Sequence, residues 1–211
     1  MQQKILSIQV FLTCCIPLAL ISGPAMPDVI ISILALIFIF LTFKYNLYKY
    51  YNNPVIIILF VFYFFLIFSS LLSDHIFHSF ESSLFYCRFI FFTLSCWYIM
   101  ENYNKFNRYF LFSISFSISI LIFDGFIQYF FGTNLIGLPY KGDRLSSFFG
   151  DELKLGSYLS RMMPIFLAFI TLIYSQNKKI IFFALLIFIL SDLLIVFSGE
   201  RTSLFYLLFS S

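Results

Sequence analysis

The chain has 211 residues, of which 61% are hydrophobic and only 11% are charged, and its mean hydropathy is +0.96. A soluble domain carries about 25% charged residues, so a soluble globular fold is excluded. The net charge of +3 is spread along the chain, whereas a nucleic-acid-binding protein gathers Lys and Arg on one face. We therefore expect membrane lipids as the surroundings and no nucleic acid as a partner.

The apolar runs decide between the two folds that can cross a bilayer. A spanning chain must satisfy its own backbone hydrogen bonds, as helices or as a closed barrel. Barrel strands alternate apolar and polar residues over about ten positions. Residues 29–43 and 180–197 are instead apolar on every face. The sequence therefore predicts an all-α fold, a polytopic bundle of transmembrane helices.

Seven runs are near the length of about 20 residues that a helix needs to cross a membrane. An eighth begins near residue 202, but ten residues of helix reach only about 15 Å. We therefore expect one transmembrane domain over residues 1–211 that is the N-terminal part of a longer protein. The predicted complete spans are residues 5–22, 28–43, 54–72, 84–100, 109–127, 157–175 and 180–197.

Basic residues indicate the orientation of these spans. With the N-terminus in the cytoplasm, every predicted inside segment is basic, and the outside segments 23–27 and 73–83 carry no Lys or Arg. The first span could alternatively be a signal peptide, since Lys4 precedes its apolar run. The outside loop 128–156 is the exception to the charge rule, because it holds Lys141, Arg144 and Lys154.

Charged residues inside spans are costly and often mark a functional site. Arg88 and Arg161 lie about one turn inside their predicted spans, and Asp124 lies near the outer end of another. The arginines could simply reach the interface with their long side chains. For Asp124 we expect an ion pair with one of these arginines. His75 and His78 offer only two ligands, so we expect a solvated loop there and no metal site.

The stretch from Arg144 to Arg161 places two arginines around an acidic turn that leads into the sixth span. Gly150 can adopt positive φ. Asp151 or Glu152 can sit in the first turn of the helix, where the helix dipole favours a carboxylate. The alternative is an ordinary capped helix entry without a ligand.

The turn Ser198-Gly-Glu-Arg-Thr202 interrupts two apolar runs. Gly199 is placed as a C-terminal glycine, and the following residues open a helix whose amides point outward. Arg201 beside these amides predicts an anion site, because guanidinium forms a planar fork for phosphate oxygens. Glu200 could orient Arg201 through an ion pair or act chemically itself. A plain turn is the alternative.

Three segments together resemble the O-antigen ligase and polymerase family of bacterial inner-membrane glycosyltransferases. They are Gln128-Tyr-Phe-Phe-Gly132, the stretch from Arg144 to Arg161, and Phe197-Ser-Gly-Glu-Arg-Thr202. The resemblance covers roughly residues 125–205. It departs from the family after Gly150, where Asp-Glu-Leu-Lys replaces the usual Pro-Asn version of the stretch.

The resemblance implies transfer of a glycan from undecaprenyl diphosphate to an acceptor hydroxyl, on the periplasmic side and without ATP, metal or another cofactor. The acceptor would be lipid A core for a ligase or a second lipid-linked glycan for a polymerase. Family members hold the diphosphate with periplasmic arginines, here Arg201 first, then Arg144, then Arg161, with Arg88 suggested by placement alone. Arg201 and Glu200 are the predicted catalytic pair. The resemblance places the base on a His beyond Ser211, with Glu200 or Asp151 as substitutes.

A secondary transporter or a lipid-linked oligosaccharide carrier is the competing interpretation. Many transporters contain internal repeats and broken helices that meet near the membrane midplane. The sequence contains no convincing repeat, and its charged candidates gather at one face. A noncatalytic membrane scaffold is the third reading.

Overall fold

The computed structural model describes residues 2–140, 144–150, 152 and 154–210, with the backbone alone for 204 and 207–210. It is 82% helical, and the described residues contain no strand, so the all-α prediction is confirmed. The helices are α1 (Gln2–Ala19), α2 (Ala25–Tyr45), α3 (Pro54–Leu71), α4 (Ile76–Phe85), α5 (Cys87–Asn102), α6 (Phe106–Phe131), α7 (Leu155–Tyr174), α8 (Lys178–Phe197) and α9 (Arg201–Ser210).

Among the described residues, seven helical segments are long and apolar enough to cross a membrane, and each corresponds to one predicted span. The predicted spans 54–72 and 157–175 extend one residue beyond their segments, Pro54–Leu71 and Leu155–Tyr174. The chain is therefore a multi-pass membrane protein. The fourth segment differs from the prediction, because it runs over Ile76–Asn102 and consists of α4 followed by α5. Most of the predicted loop 73–83 is thus helical. Ile76, Phe80 and Leu84 give α4 an apolar stripe that a search for continuous apolar runs overlooks.

Polar residues set where several helices begin, as the sequence indicates. The Asn53 side chain accepts a hydrogen bond from the Val55 amide at 2.9 Å and starts α3. The Asn177 side chain accepts from the Lys179 amide at 3.2 Å and starts α8. Each asparagine satisfies amide groups that have no partner within their own helix.

The chain divides into two compact units. Unit 1 consists of Met1–Thr13 and Ala25–Phe106, and unit 2 consists of Cys14–Pro24 and Asn107–Ser211. Helix α1 contributes its beginning to unit 1 and its end to unit 2. The segments that resemble the glycosyltransferase family all belong to unit 2.

Unit 1 packs α2 against α5 around aromatic rings. Phe38 is fully buried, and its ring centroid lies 6.2 Å from that of Tyr50 and 6.1 Å from that of Tyr98. The buried Gln9 amide donates to the Ser95 hydroxyl at 3.0 Å and fixes α1 on α5. Without water in the bilayer core, such close packing and interhelical hydrogen bonds hold the helices together.

Unit 2 has its core between α6, α7 and α8. Ile118 and Leu121 of α6 and Leu159 of α7 are fully buried there, and Phe166 of α7 is 1% exposed. Leu145 of the loop between α6 and α7 is also fully buried in this core. The loop is therefore packed as part of the bundle.

The aromatic packing in unit 1 gives the first testable prediction. Phe38→Ala opens a cavity where three rings meet, and we expect a loss of about 3 kcal/mol in unfolding free energy. Phe40→Ala is the matched control, because Phe40 lies on the same helix and is 53% exposed. Unfolding of both purified variants in detergent measures the difference. Equal losses would contradict the packing of α2.

Candidate functional site

The candidate site lies at one end of unit 2, where α6 and α8 end and α7 and α9 begin. The rings of Tyr129 on α6 and Phe197 on α8 stack there at 4.5 Å between centroids. Two connections complete this end, the loop 132–154 before α7 and the turn 198–200 before α9. These are the connections that carry the predicted site residues of unit 2.

The carboxylate of Glu200 caps the N-terminus of α7. Its Oε1 accepts a hydrogen bond from the Gly156 amide at 2.9 Å, and its Oε2 accepts from the Ser157 amide at 2.9 Å. The hydroxyls of Ser157 and Ser203 also donate to Oε2. Glu200 is only 7% exposed. We call this arrangement the Glu200 cap. It joins α7 to α9 because Glu200 immediately precedes α9.

The sequence predicted that Asp151 or Glu152 would lie in the first turn of this helix, and the structure differs. Helix α7 begins at Leu155, and its first turn contains no acidic residue. Glu152 lies before that turn and pairs with Lys154 at 2.7 Å, while Asp151 lies outside the described residues. The carboxylate that the helix dipole favours comes instead from Glu200.

Gly156 permits this close approach. A Cβ atom at this position would lie 2.5 Å from the Ser198 hydroxyl oxygen and 3.2 Å from the Glu200 carboxyl carbon. It would also lie 3.2 Å from the Cβ of Ser203. The predicted C-terminal glycine of α8, Gly199, has φ of 66°, which fits the sharp turn on the other side of the contact.

Asp124 and Asn134 hold the start of the loop 132–154. Asp124 is fully buried at the end of α6, and its carboxylate accepts from the Leu135 amide at 2.9 Å, from Asn134 and from the Ser147 hydroxyl. Asn134 in turn donates to the Ser147 carbonyl at 3.1 Å. Among the described residues of unit 2, Asp124 forms no ion pair with Arg161, so the predicted pairing with that arginine is wrong. Neutral donors surround this carboxylate.

Gln128, one turn further along α6, holds the second half of the loop. Its side-chain oxygen accepts from the Ser146 amide at 3.1 Å and from the Ser147 amide at 2.7 Å. Ser147 has φ of 51°, a left-handed conformation that costs free energy for a residue with a side chain. The bonds from Asp124 and Gln128 stabilise that conformation. Gly150, with φ of 61°, adopts the predicted positive φ.

A cavity of about 220 Å³ opens beside the start of α7. We call it the α7 cavity. Arg161 brings positive charge to its lining, together with Lys154, whose ammonium pairs with Glu152. The hydroxyls of Ser157 and Tyr158 also line the cavity, and they donate to Glu200 and to the Pro17 carbonyl. The remaining lining is apolar, from Leu20, Phe149 and Met162. The described lining contains no carboxylate, so the cavity favours an anionic group attached to an apolar one.

Arg161 and Arg201 both belong to this end of unit 2. Arg161 lies one turn beyond Ser157 on the same face of α7, and Ser157 bonds Glu200. Arg201 follows Glu200 directly as the first residue of α9. Both arginine side chains are exposed. Among the described residues, Glu200 is bonded to α7 and Ser203 and forms no ion pair with Arg201.

The other two candidate arginines lie elsewhere. Arg144 is exposed in the loop 132–154, just before the fully buried Leu145. Arg88 belongs to unit 1, where it pairs with Asp28 at 2.9 Å and lies over the Phe89 ring at 5.0 Å. The charge of Arg88 is therefore already matched within its own unit.

The predicted histidines lie at the start of α4 in unit 1. His75 and His78 line a cavity there together with serines such as Ser79 and Ser83. Within the described residues, no group of three or more His, Cys, Asp or Glu side chains could hold a metal ion.

The sequence reasoning missed several residues that build the site. Ser157 and Gln128 lie inside segments already singled out, but hydroxyl and amide side chains attracted no attention beside charged ones. Ser203 lies three residues after Glu200, the spacing at which a helix-capping acid meets the next turn. The pairing of Glu200 with Gly156 had no local signal, because the two residues are 44 positions apart.

Comparison with protein-family models, with curated proteins and with solved structures finds no match for this chain. The resemblance carried by the three segments therefore stays a prediction.

The second testable prediction concerns Gly156. Gly156→Ala pushes a methyl group against Ser198 and Glu200, and we expect a loss of about 1–3 kcal/mol in unfolding free energy. Adding Ser198→Ala removes the atom nearest to the new methyl group and should restore part of that loss. Unfolding of the single and double variants in detergent measures the coupling. Strictly additive losses would contradict the close contact.

The third testable prediction concerns the loop anchor. Asp124→Asn replaces one accepting oxygen by an amide that cannot accept, which leaves a buried donor unsatisfied at about 1–3 kcal/mol. We expect faster proteolytic cleavage within residues 133–150. Asp192→Asn is the control, because Asp192 is a carboxylate of α8 with no described hydrogen bond to the loop. Equal cleavage in both variants would contradict the anchor.

Proposed function

We propose that this chain acts as a metal-independent membrane glycosyltransferase similar to O-antigen ligases and polymerases. It transfers a glycan from a lipid diphosphate, undecaprenyl diphosphate in bacteria, to an acceptor hydroxyl. The acceptor is lipid A core or a second lipid-linked glycan, in lipopolysaccharide or polysaccharide biosynthesis. The observation that carries the proposal is the α7 cavity, with Arg161 in its lining, at the helix start that the Glu200 cap joins to α9.

The lining of the α7 cavity suits a diphosphate attached to an isoprenoid. Arg161 provides donors for phosphate oxygens, and Lys154 adds a second cation beside it. The apolar residues of the lining, Leu20, Phe149 and Met162, suit a hydrocarbon chain that arrives from the bilayer. Arg144 on the anchored loop is the proposed further contact with the diphosphate.

The transfer needs negative charge to be stabilised on the leaving diphosphate. Breaking the bond between the sugar and the phosphate oxygen places further charge on that oxygen, and arginines already in position stabilise it without reorganisation. The anchored loop and the Glu200 cap keep this end of unit 2 in place before the substrate binds. Arg161 and Arg201 are the residues proposed to stabilise this negative charge.

Glu200 supports this reaction as a positioning residue. Its two carboxylate oxygens already accept hydrogen bonds from Gly156, Ser157 and Ser203. Four hydrogen bonds to this buried carboxylate leave little room for an acceptor hydroxyl to approach it. The proton of the acceptor hydroxyl is therefore assigned to another base, and the proposed role of Glu200 is to hold the start of α9, whose first residue is Arg201.

The proposed location is the bacterial inner membrane, with the N-terminus in the cytoplasm and the α7 cavity at the periplasmic side. The support is the distribution of basic residues along the sequence. The segments on the proposed cytoplasmic side are basic, including Lys178 and Lys179 at the start of α8, as the positive-inside rule expects.

The fourth testable prediction is a complementation experiment. The full-length gene should restore the lipopolysaccharide ladder of a ligase-deficient bacterium, and Arg201→Ala or Arg161→Ala should reduce transfer about a hundredfold. Arg161→Lys should retain an intermediate activity, because Lys keeps the charge but lacks the planar fork. Lys105→Ala is the control, since Lys105 is an exposed cation of unit 1. Protein levels are compared by immunoblot.

The outcomes separate the competing functions. Ladders that persist in both arginine variants would refute the site. Without any restored ladder, single cysteines at positions 144 and 201 are labelled from each side of the membrane. Labelling from the periplasmic side only agrees with a transferase site, whereas labelling from both sides in turn would favour a transporter or oligosaccharide carrier.

A further inference from the structure

Two further cavities lie at the opposite end of unit 2. An apolar groove of about 250 Å³ lies between α6, α7 and α8, lined by residues such as Leu111, Phe166, Ile170 and Ala184. Arg108 is the charged residue of its lining. A polar cavity of about 530 Å³ lies at the connection between α7 and α8 and includes Lys178 and Lys179. Tyr174 lines both cavities, so they adjoin.

The position of these cavities follows from the ends of three spans. Arg108 lies in the first turn of α6, Tyr174 is the last residue of α7, and Lys178 is the first residue of α8. Tyr and basic residues at span ends mark the membrane interface. The groove extends from this interface along the apolar faces of the helices. Phe112 and Phe183 of its lining are 73% and 61% exposed, so the groove opens toward lipid.

We propose that this groove binds one anionic phospholipid, with an acyl chain against the apolar lining and the headgroup phosphate at Arg108, Lys178 and Lys179. The apolar part alone would accept any lipid chain. The basic part selects the headgroup, because the described lining of the two cavities contains three cations and no Asp or Glu. Basic residues near a bilayer surface attract anionic lipids. The proposal does not depend on the transfer reaction.

The polar cavity adds directed contacts for the glycerol and phosphate oxygens. Asn177 and Gln176 contribute amides to its lining, and the Tyr174 ring lies between the two cavities. The Asn177 side-chain oxygen is engaged by the first amides of α8, which leaves its amide hydrogens for an acceptor. A phosphodiester offers only acceptors, which matches this set of donors.

The fifth testable prediction is selective retention of an anionic lipid. The full-length protein is extracted from nanodiscs containing equal amounts of phosphatidylglycerol and phosphatidylcholine, and native mass spectrometry counts the lipids retained. We expect wild type to retain phosphatidylglycerol in clear excess. The triple variant Arg108→Gln, Lys178→Gln, Lys179→Gln should lower that preference at least about tenfold, since each cation near the surface contributes about fivefold.

Two further variants test the apolar groove and control for the loss of positive charge. Ser115→Phe fills the apolar groove and should lower retention of both lipids, with the charge preference unchanged. Lys4→Gln, Lys44→Gln, Lys105→Gln removes three other exposed cations and should leave retention as in wild type. Inorganic phosphate at millimolar concentration should not displace the lipid. Equal retention of the two lipids by wild type, or an unchanged preference in the first triple variant, would overturn the proposal.

Discussion

The hydrogen bonds between the Glu200 carboxylate and the first amides of α7 are the contact on which the candidate site depends. Gly156 and Ser157 donate from one segment of the chain, and Ser203 donates from the helix that Glu200 introduces. A helix N-terminus at a membrane interface needs an acceptor for these amides. By supplying it from 44 residues away, Glu200 fixes the start of α9 against the start of α7.

The loop between α6 and α7 also contains backbone amides that need acceptors, and side chains of α6 provide them. A long connection that enters a bundle must satisfy its own backbone groups. Asp124 and Gln128 do this from α6, and the fully buried Leu145 fixes the loop through the apolar core. Arg144 therefore projects from an anchored segment. Unit 2 thus presents its cations on a preorganised surface, the condition under which charge stabilises a reacting group most effectively.

The sequence was sufficient for the spans, because apolar runs of bilayer length have few alternatives. It was insufficient for α4, where the apolar residues form a stripe and alternate with polar ones. The positive φ of Gly150 and Gly199 and the start of α9 were also predictable from local chemistry. The partners of Glu200 and Asp124 were not, because local reasoning assigns a helix cap to the nearest acid and a membrane carboxylate to the nearest arginine. Which donors are closest is decided by tertiary packing.

The 44 residues between Gly156 and Glu200 also determine when the Glu200 cap can form during synthesis of the protein. Ribosomal synthesis completes α7 before residue 200 emerges, so the first amides of α7 lack the Glu200 acceptor while α8 is being inserted. The cap closes only after the chain has crossed the bilayer once more and returned to the same interface. Assembly of this end of unit 2 is therefore a late step, which requires that α8 has first reached its transmembrane position.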